Sequence, residues 1–447
     1  MKDLTKGNIS RQLFAFAIPL FLGSILQLTY SLVDTRIVGS TLGESALAAV
    51  GSTTSLSNLL IGFLMGLTNG FAVIAAQRFG AGNYKELRKS VALSVTLGLI
   101  MSLILTVLSL VFLYPLLHVM NIPEAVIPQS ASFISIIFAG MTIMMLYNVC
   151  ASVLRAIGDS VTPLIFLAVS VVLNIFGDLF FILVLHSGVR GAAIATVLSQ
   201  FVALICCAAY MWNKYEFLRF SLKDIQFDKE MIHNLLSCGF SMGFMSSFVA
   251  LGTVALQTSI NKLGTDIIVA HTAARKITEL YMLAFSVMGT TMATFCGQNL
   301  GAGEVGRIKE GIKKAIIITW ACSMIAIALS YTIAPQLIYA ITGSNNSVVI
   351  NNASLYLKID TLLYFVTALI CVIRNAMQGI GDHITPIVSS FIELAGKVII
   401  AAFLVPRLHY MGVILAEPIV WILMVIPLIL QILRTPILKK GKETVCP

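Results

Sequence analysis

Two aspartates, Asp34 and Asp178, stand inside long stretches that are otherwise apolar. Neither has a basic residue within helical reach on its own face, because Arg36 lies two positions from Asp34 and so points elsewhere. Their polar neighbours share their stripes. Gln27, Tyr30 and Asp34 follow i, i+3, i+7 spacing, and Asn174 and Asp178 are i, i+4. Counted from the outer ends of their stretches, Asp178 is about 12 Å deep and Thr196 about 10 Å, with Asp34 shallower. Two carboxylates, an amide, a phenol and a hydroxyl at similar depth make one cluster. Such oxygen ligands suit a hard cation such as Na⁺, and two close carboxylates away from bulk water suit the carrying of a proton. The bland alternative leaves Asp34 as an interfacial helix-end residue and Asp178 as a structural hydrogen-bond acceptor. Against it stands the cost of an unpaired ionisable group facing lipid, roughly 2.5 kcal/mol to well above 10.

The elements that carry these residues follow from composition. Of 447 residues, 58% are hydrophobic and only 11% charged, where a soluble domain carries about a quarter. A soluble globular fold is excluded, and so is a disordered chain, which would be poor in apolar residues. The expected fold is an all-α integral membrane protein. Apolar stretches of spanning length fall at about 12–38, 46–77, 90–118, 129–156, 161–186, 189–211, 233–260, 266–298, 312–341, 354–380, 384–406 and 411–434. The first, preceded by MKDLTKGNISRQ, is too long for a signal peptide and has no small-residue cleavage site. With both termini in the cytoplasm, inner segments hold 21 Lys/Arg and outer ones five, while Arg275, Lys276 and Lys397 lie within spans. That asymmetry sets the orientation in a plasma (inner) membrane.

The net charge of +9 reports this topology and no nucleic-acid partner, since the basic residues form no stripe with interleaved aromatics. The eight cysteines (150, 206, 207, 238, 296, 322, 371 and 446) show no CxxC or Cys/His spacing, so core packing is their expected role. No HExxH, nucleophile elbow or Gly-rich phosphate loop occurs, so neither an enzyme nor a cofactor is expected.

The longest polar interruption, 213–231, divides the chain into an N-terminal lobe (1–212), a cytoplasmic linker and a C-terminal lobe (232–447). The lobes repeat. LGES at 42–45 returns as LGTD at 263–266, AQRFGAG at 76–82 as GQNLGAG at 297–303, and GDSVTP at 158–163 as GDHITP at 381–386, at offsets of 221, 221 and 223. The GAG segments read as glycine-capped helix ends and the GD segments as tight turns. Six spans per repeat give two pseudo-symmetric six-helix lobes, twelve transmembrane helices around a central cleft, the architecture of alternating access. By the same offsets Asp34 maps to Ala255, Asn174 to Lys397 and Asp178 to Ala401, so the acidic cluster has no twin. The second lobe has its own mixed set: Arg275 and Glu279 are i, i+4, Lys276 and Glu279 i, i+3, and Glu393 and Lys397 i, i+4. Pairing within each helix is one reading. The other makes Gln257, Arg275, Lys276, Glu279, Glu393 and Lys397 the lining of a substrate cavity.

Pro19 followed by LQLTYSLVDTRIVGSTLGESALAAVG, then AQRFGAG, RAIGDSVTP, NIFGDLFFI with GVRGAAIATVLSQ, and finally GQNLGAG and QGIGDHITP, together resemble the multidrug and toxic compound extrusion (MATE) transporters over the whole chain. The resemblance implies a monomer that exports drugs or organic, often cationic, metabolites from the cytoplasm in exchange for inward H⁺ or Na⁺. The sequence is similar to the DinF-type branch, whose cation-site motif falls on Asp34, Asn174, Asp178 and Thr196, with Tyr30 alongside; Na⁺, where it is the coupling ion, would bind there. The resemblance also implies Pro19 as the place where span one bends. A NorM-type site in the second lobe is not implied, since the matching positions are Val249 and Thr367. Gly177, where the family pattern has a bulkier residue, is expected to loosen local packing. The alternative function is a flippase of a lipid-linked sugar or other amphipathic precursor, favoured by Arg275, Lys276 and Lys397.

Overall fold

The computed structural model describes residues 3–120, 122–225, 228–343 and 345–436. Among them the regular structure is all helical, with no strand. Hydrocarbon offers no partner for N–H and C=O groups, so each span must satisfy its own. In chain order the helices are α1 (Ile9–Leu42), α2 (Glu44–Gly80), α3 (Tyr84–Val111), α4 (Leu113–Val119), α5 (Ile127–Ala139), α6 (Met141–Ala156), α7 (Val161–Leu179), α8 (Gly188–Lys214), α9 (Lys229–Ile260), α10 (Thr265–Gly301), α11 (Val305–Thr332), α12 (Ala334–Thr342), α13 (Ser347–Leu362), α14 (Tyr364–Gly379), α15 (Ile384–Ile399), α16 (Val405–Leu408), α17 (Tyr410–Ile414) and α18 (Ala416–Arg434). Among the described residues ten spans are long and apolar enough to cross a membrane, and twelve when the bent pairs α5–α6 and α13–α14 each count as one. The chain is a multi-pass membrane protein.

Those two pairs depart from the continuous spans expected at 129–156 and 354–380: α5 and α6 meet at 43° and α13 and α14 at 53°. At the first break Gly140 leaves room for Val197 of α8, whose Cγ2 would lie 2.4 Å from an added Cβ. Each break falls inside a stretch that, taken whole, is long and apolar enough to span a membrane.

The helices group into two compact units, Ile18–Gly243 in one and Leu4–Ala17 with Phe244 onward in the other. The sequence repeat recurs in both as local structure. Gly82 and Gly303, which close the GAG segments, take left-handed φ of 68° and 73°. Asp159 accepts from the Thr162 N–H at 3.1 Å and hydroxyl at 2.7 Å, and Asp382 accepts from the same groups of Thr385 at 3.0 and 2.8 Å. Each GD turn thus caps the span that follows it. Beyond the sequence repeat, both units carry a π-helical turn late in one span, Phe180–Val184 and Ile400–Leu404, with a histidine of positive φ beyond it, His186 and His409.

In the first unit α2 meets the opening of α9 through two Gly-x-x-x-Gly pairs, Gly66 with Gly70 and Gly239 with Gly243. A Cβ on Gly66 would lie 2.4 Å from the Met242 carbonyl oxygen, and one on Gly70 2.5 Å from that of Cys238. Small residues let two backbones touch, a common basis of association where the solvent is as apolar as the side chains. Outside the spans, the hydrogen bond from the Lys89 ammonium holds the Asp228 carboxyl below the usual carboxylate range. In the second unit Arg307 gathers the start of the chain, donating to Leu4 O at 3.2 Å, Gly7 O at 2.9 Å and Gln12 Oε1 at 2.8 Å. Cys150, Cys207, Cys238 and Cys296 are buried, with Cys206, Cys322 and Cys371 half-buried. Cys446, Lys2, Lys439, Lys440 and Lys442 lie outside the described residues.

Gly70→Ala therefore forces α2 from α9 and lowers stability by about 1–3 kcal/mol. Gly51→Ala, on the same helix with nothing within 4 Å of the new methyl, leaves stability unchanged or slightly raised. Thermal unfolding of the two variants in one detergent checks the contrast.

Candidate functional site

In the first unit, α7, α8 and the part of α1 from Ile18 onward build the acidic cluster. On α7, Asn174 and Asp178 are one turn apart and almost wholly buried. Gly177 beside them does the opposite of loosening the packing: an added Cβ would stand 3.0 Å from that of Ala195 on α8, so the glycine lets the two helices close together. The π-helical turn starts two residues after Asp178, a feature frequent at functional sites.

With its amide nitrogen turned toward the aspartate, Asn174 donates to Asp178 Oδ2 at 3.1 Å, and its oxygen accepts from the Thr196 N–H at 3.1 Å and hydroxyl at 3.2 Å. This orientation satisfies both ends of the amide. Tyr30 brings its phenol to Thr196 Oγ1 at 3.3 Å. One turn further along α1, the carboxyl of Asp34 comes within hydrogen-bonding range of that of Asp178. One buried oxygen of each carboxyl, Asp34 Oδ1 and Asp178 Oδ1, has no hydrogen-bond partner among the described residues. Gln27 is exposed on α1 and is not drawn into the cluster. Two carboxylates this near each other repel when both are ionised and are held together when a proton or another cation lies between them. The arrangement can therefore hold one small cation.

In the second unit the charges expected around 275–279 and 393–397 largely meet one another. Lys397 bonds Glu393 at 2.9 Å and Glu417 at 3.0 Å, and Arg374 stands 4.0 Å from Glu393. Arg275 does not pair with Glu279 one turn away; it reaches Glu417 at 3.4 Å. Glu417 is buried and Glu279 is exposed, and a buried carboxylate left without a cation is far costlier than a solvated one. Lys276 and Glu279 pair at 3.3 Å on an exposed face, and Gln257, half-buried, donates to Asn261 at 2.9 Å.

Asp360, Glu417 and His271, all buried in the same unit, do not stand out from the sequence, because each lies only a turn or two inside an expected span edge, where charge is ordinary. A stripe would have marked them: Tyr356, Asp360 and Tyr364 recur every four residues, and His271 and Arg275 are likewise four apart.

The MatE family model matches residues 19–180 and 241–404. Among curated relatives, the probable multidrug resistance protein YoeA of Bacillus subtilis is 28% identical over 426 residues, 93% of this chain and 91% of that one. The probable multidrug resistance protein YpnP of the same organism is 30% identical over 306 residues, 68% of each. The crystal structure of a MATE protein in the bent conformation superposes with a TM-score of 0.91 at 23% identity, covering 99% of this chain and 98% of that one. With two matched segments that fall on corresponding parts of the two repeats and together span well over half its length, the chain belongs to the MatE family of membrane transporters.

Proposed function

We propose that the protein is a cation-coupled exporter of drugs or organic metabolites from the cytoplasm across the plasma membrane, with both termini on the cytoplasmic side. Drug export is carried by kinship with relatives named as multidrug resistance proteins. Coupling is carried by one observation, the approach of Asp34 to Asp178 within hydrogen-bonding range, with one buried oxygen of each that no donor among the described residues reaches. The proton is taken as the coupling ion, because two carboxyls in hydrogen-bonding range of each other can share a hydrogen, whereas a hard cation calls for a fuller shell of oxygen ligands. In the cycle, the cation enters between Asp34 and Asp178, Asn174 and Thr196 hold Asp178 in place, and α1 bends at Pro19, where the proline ring removes a backbone donor. Cation and cargo must stabilise opposite states, since a ligand with equal affinity for both shifts nothing. Lys397 and Arg275 are tied to carboxylates and Lys276 to Glu279, which leaves little free positive charge for the anionic cargo of a flippase.

Asp34→Asn and Asp178→Asn each reduce efflux to background while the protein still reaches the membrane; drug accumulation in cells carrying either variant checks this, and normal resistance in both overturns the assignment. Thr196→Val, which removes one hydroxyl from the support of Asn174 and Tyr30, slows transport by about five- to tenfold, the worth of roughly 1 kcal/mol of hydrogen bonding. In proteoliposomes with separately imposed gradients, a pH gradient drives uptake and a Na⁺ gradient alone does not; dependence on Na⁺ alone reverses the choice of ion, and dependence on neither favours the flippase.

A further inference from the structure

The second unit holds a group of buried polar atoms that its ion pairs do not use. His271 Nδ1, Asp360 Oδ1 and Tyr410 OH have no hydrogen-bond partner among the described residues, and the three residues are 4%, 1% and 6% exposed. They belong to one knot. The His271 ring stands edge-on to Tyr356 at 5.2 Å and to Tyr410 at 6.1 Å. On α10, Arg275 follows His271 by one turn; on α13, Asp360 follows Tyr356 by one turn.

The charges facing the knot are Arg275 from α10, Lys397 from α15 and Glu417 from α18, with Glu393 and Arg374 one step beyond. Three cations thus stand against two carboxylates, so an ionised Asp360 balances the group. Yet Asp360 receives a single side-chain hydrogen bond, from the Tyr364 hydroxyl at 3.2 Å, and its other oxygen has no donor among the described residues. An imidazole Nδ1 and a carboxylate oxygen are both acceptors when unprotonated. The Tyr410 hydroxyl carries a hydrogen of its own but reaches neither acceptor, so His271 Nδ1 and Asp360 Oδ1 are both left without a donor among the described residues. Charge balance favours the ionised state and hydrogen bonding the protonated one, a conflict that leaves the group free to titrate.

We propose that the His271–Tyr356–Asp360 knot is a second proton-binding site, in which a proton delivered by water is held on Asp360 Oδ1, with His271 Nδ1 as the alternative acceptor. The site goes beyond the coupling assigned to Asp34 and Asp178 and does not depend on it. Its placement gives it a readout. Asp360 lies in the last turn of α13 and Tyr364 opens α14, so their hydrogen bond crosses the 53° break, and Tyr364 packs against Trp421 with ring centroids 6.0 Å apart. Protonation of Asp360 weakens the bond it accepts from Tyr364 and changes the surroundings of Trp421.

The test is the intrinsic fluorescence of Trp421 in purified full-length protein carrying Trp212→Phe and Trp320→Phe, titrated between about pH 4.5 and 9, the range that spans shifted carboxyl and imidazole groups. A single reversible transition is expected. Asp360→Asn abolishes it, and His271→Gln or Tyr364→Phe moves its midpoint by about one pH unit, a tenfold change in proton affinity. Asp34→Asn with Asp178→Asn leaves it in place. No transition in the parent protein, a transition that survives Asp360→Asn, or one lost only with Asp34 and Asp178 overturns the proposal. Should Asp360→Asn fail to fold, the midpoints of the His271 and Tyr364 variants decide, and an unchanged midpoint in both overturns it.

Discussion

A charge taken into hydrocarbon must find its counter-charge inside the protein, and the two units of this chain meet that demand in opposite ways. The second unit brings the counter-charges along as side chains: Glu393, Lys397, Glu417 and Arg275 alternate in sign. Such a ladder is costly to desolvate and costlier to break, because removing one member strands its neighbour as a buried charge. The first unit sets two carboxyls against each other with an amide and two hydroxyls around them, and no basic side chain is paired with either carboxyl among the described residues. The repeat therefore preserves a scaffold and differentiates its contents. At the position of Asn174, the second unit carries Lys397.

Much of this is legible in the sequence. Asn174 and Asp178 four residues apart, with Tyr30 and Asp34 four apart on the first span, announce two polar stripes, and repeated GAG and GD segments announce twin scaffolds. Those signals are local, and helix geometry translates them directly into faces and ends. What stays hidden depends on neighbours distant in the chain. Arg275 has an acceptable partner in Glu279 by spacing, yet pairs with Glu417, 142 residues on. Gly177 taken alone reads as a packing defect, and only Ala195 standing against it shows why the residue is small. The breaks at Gly140 and Leu363 and the π-helical turns fall inside stretches that are predominantly apolar on both sides, so a span-length hydropathy reading runs through them.

The first helix joins these solutions. Its opening residues belong to the second unit, where Arg307 collects the carbonyls of Leu4 and Gly7 and the side chain of Gln12. From Ile18 onward the helix belongs to the first unit, and it delivers Tyr30 and Asp34 to the acidic cluster. Hydrogen bonds to a charged group such as a guanidinium are worth roughly 1.5–3 kcal/mol each, so this end is firmly held. Pro19 stands at the changeover, where the α1 ladder is missing the bond that would otherwise reach the Ala15 carbonyl. A helix fixed at one end and pulled at the other yields where its ladder is already interrupted. Asp34 lies fifteen residues beyond Pro19, about 22 Å along the axis, so a small bend there becomes a displacement of several ångströms at the carboxyl. In the proposed cycle, uptake or loss of one cation between Asp34 and Asp178 would change the force at the far end of that lever, so that a local change of charge selects between two shapes of one helix.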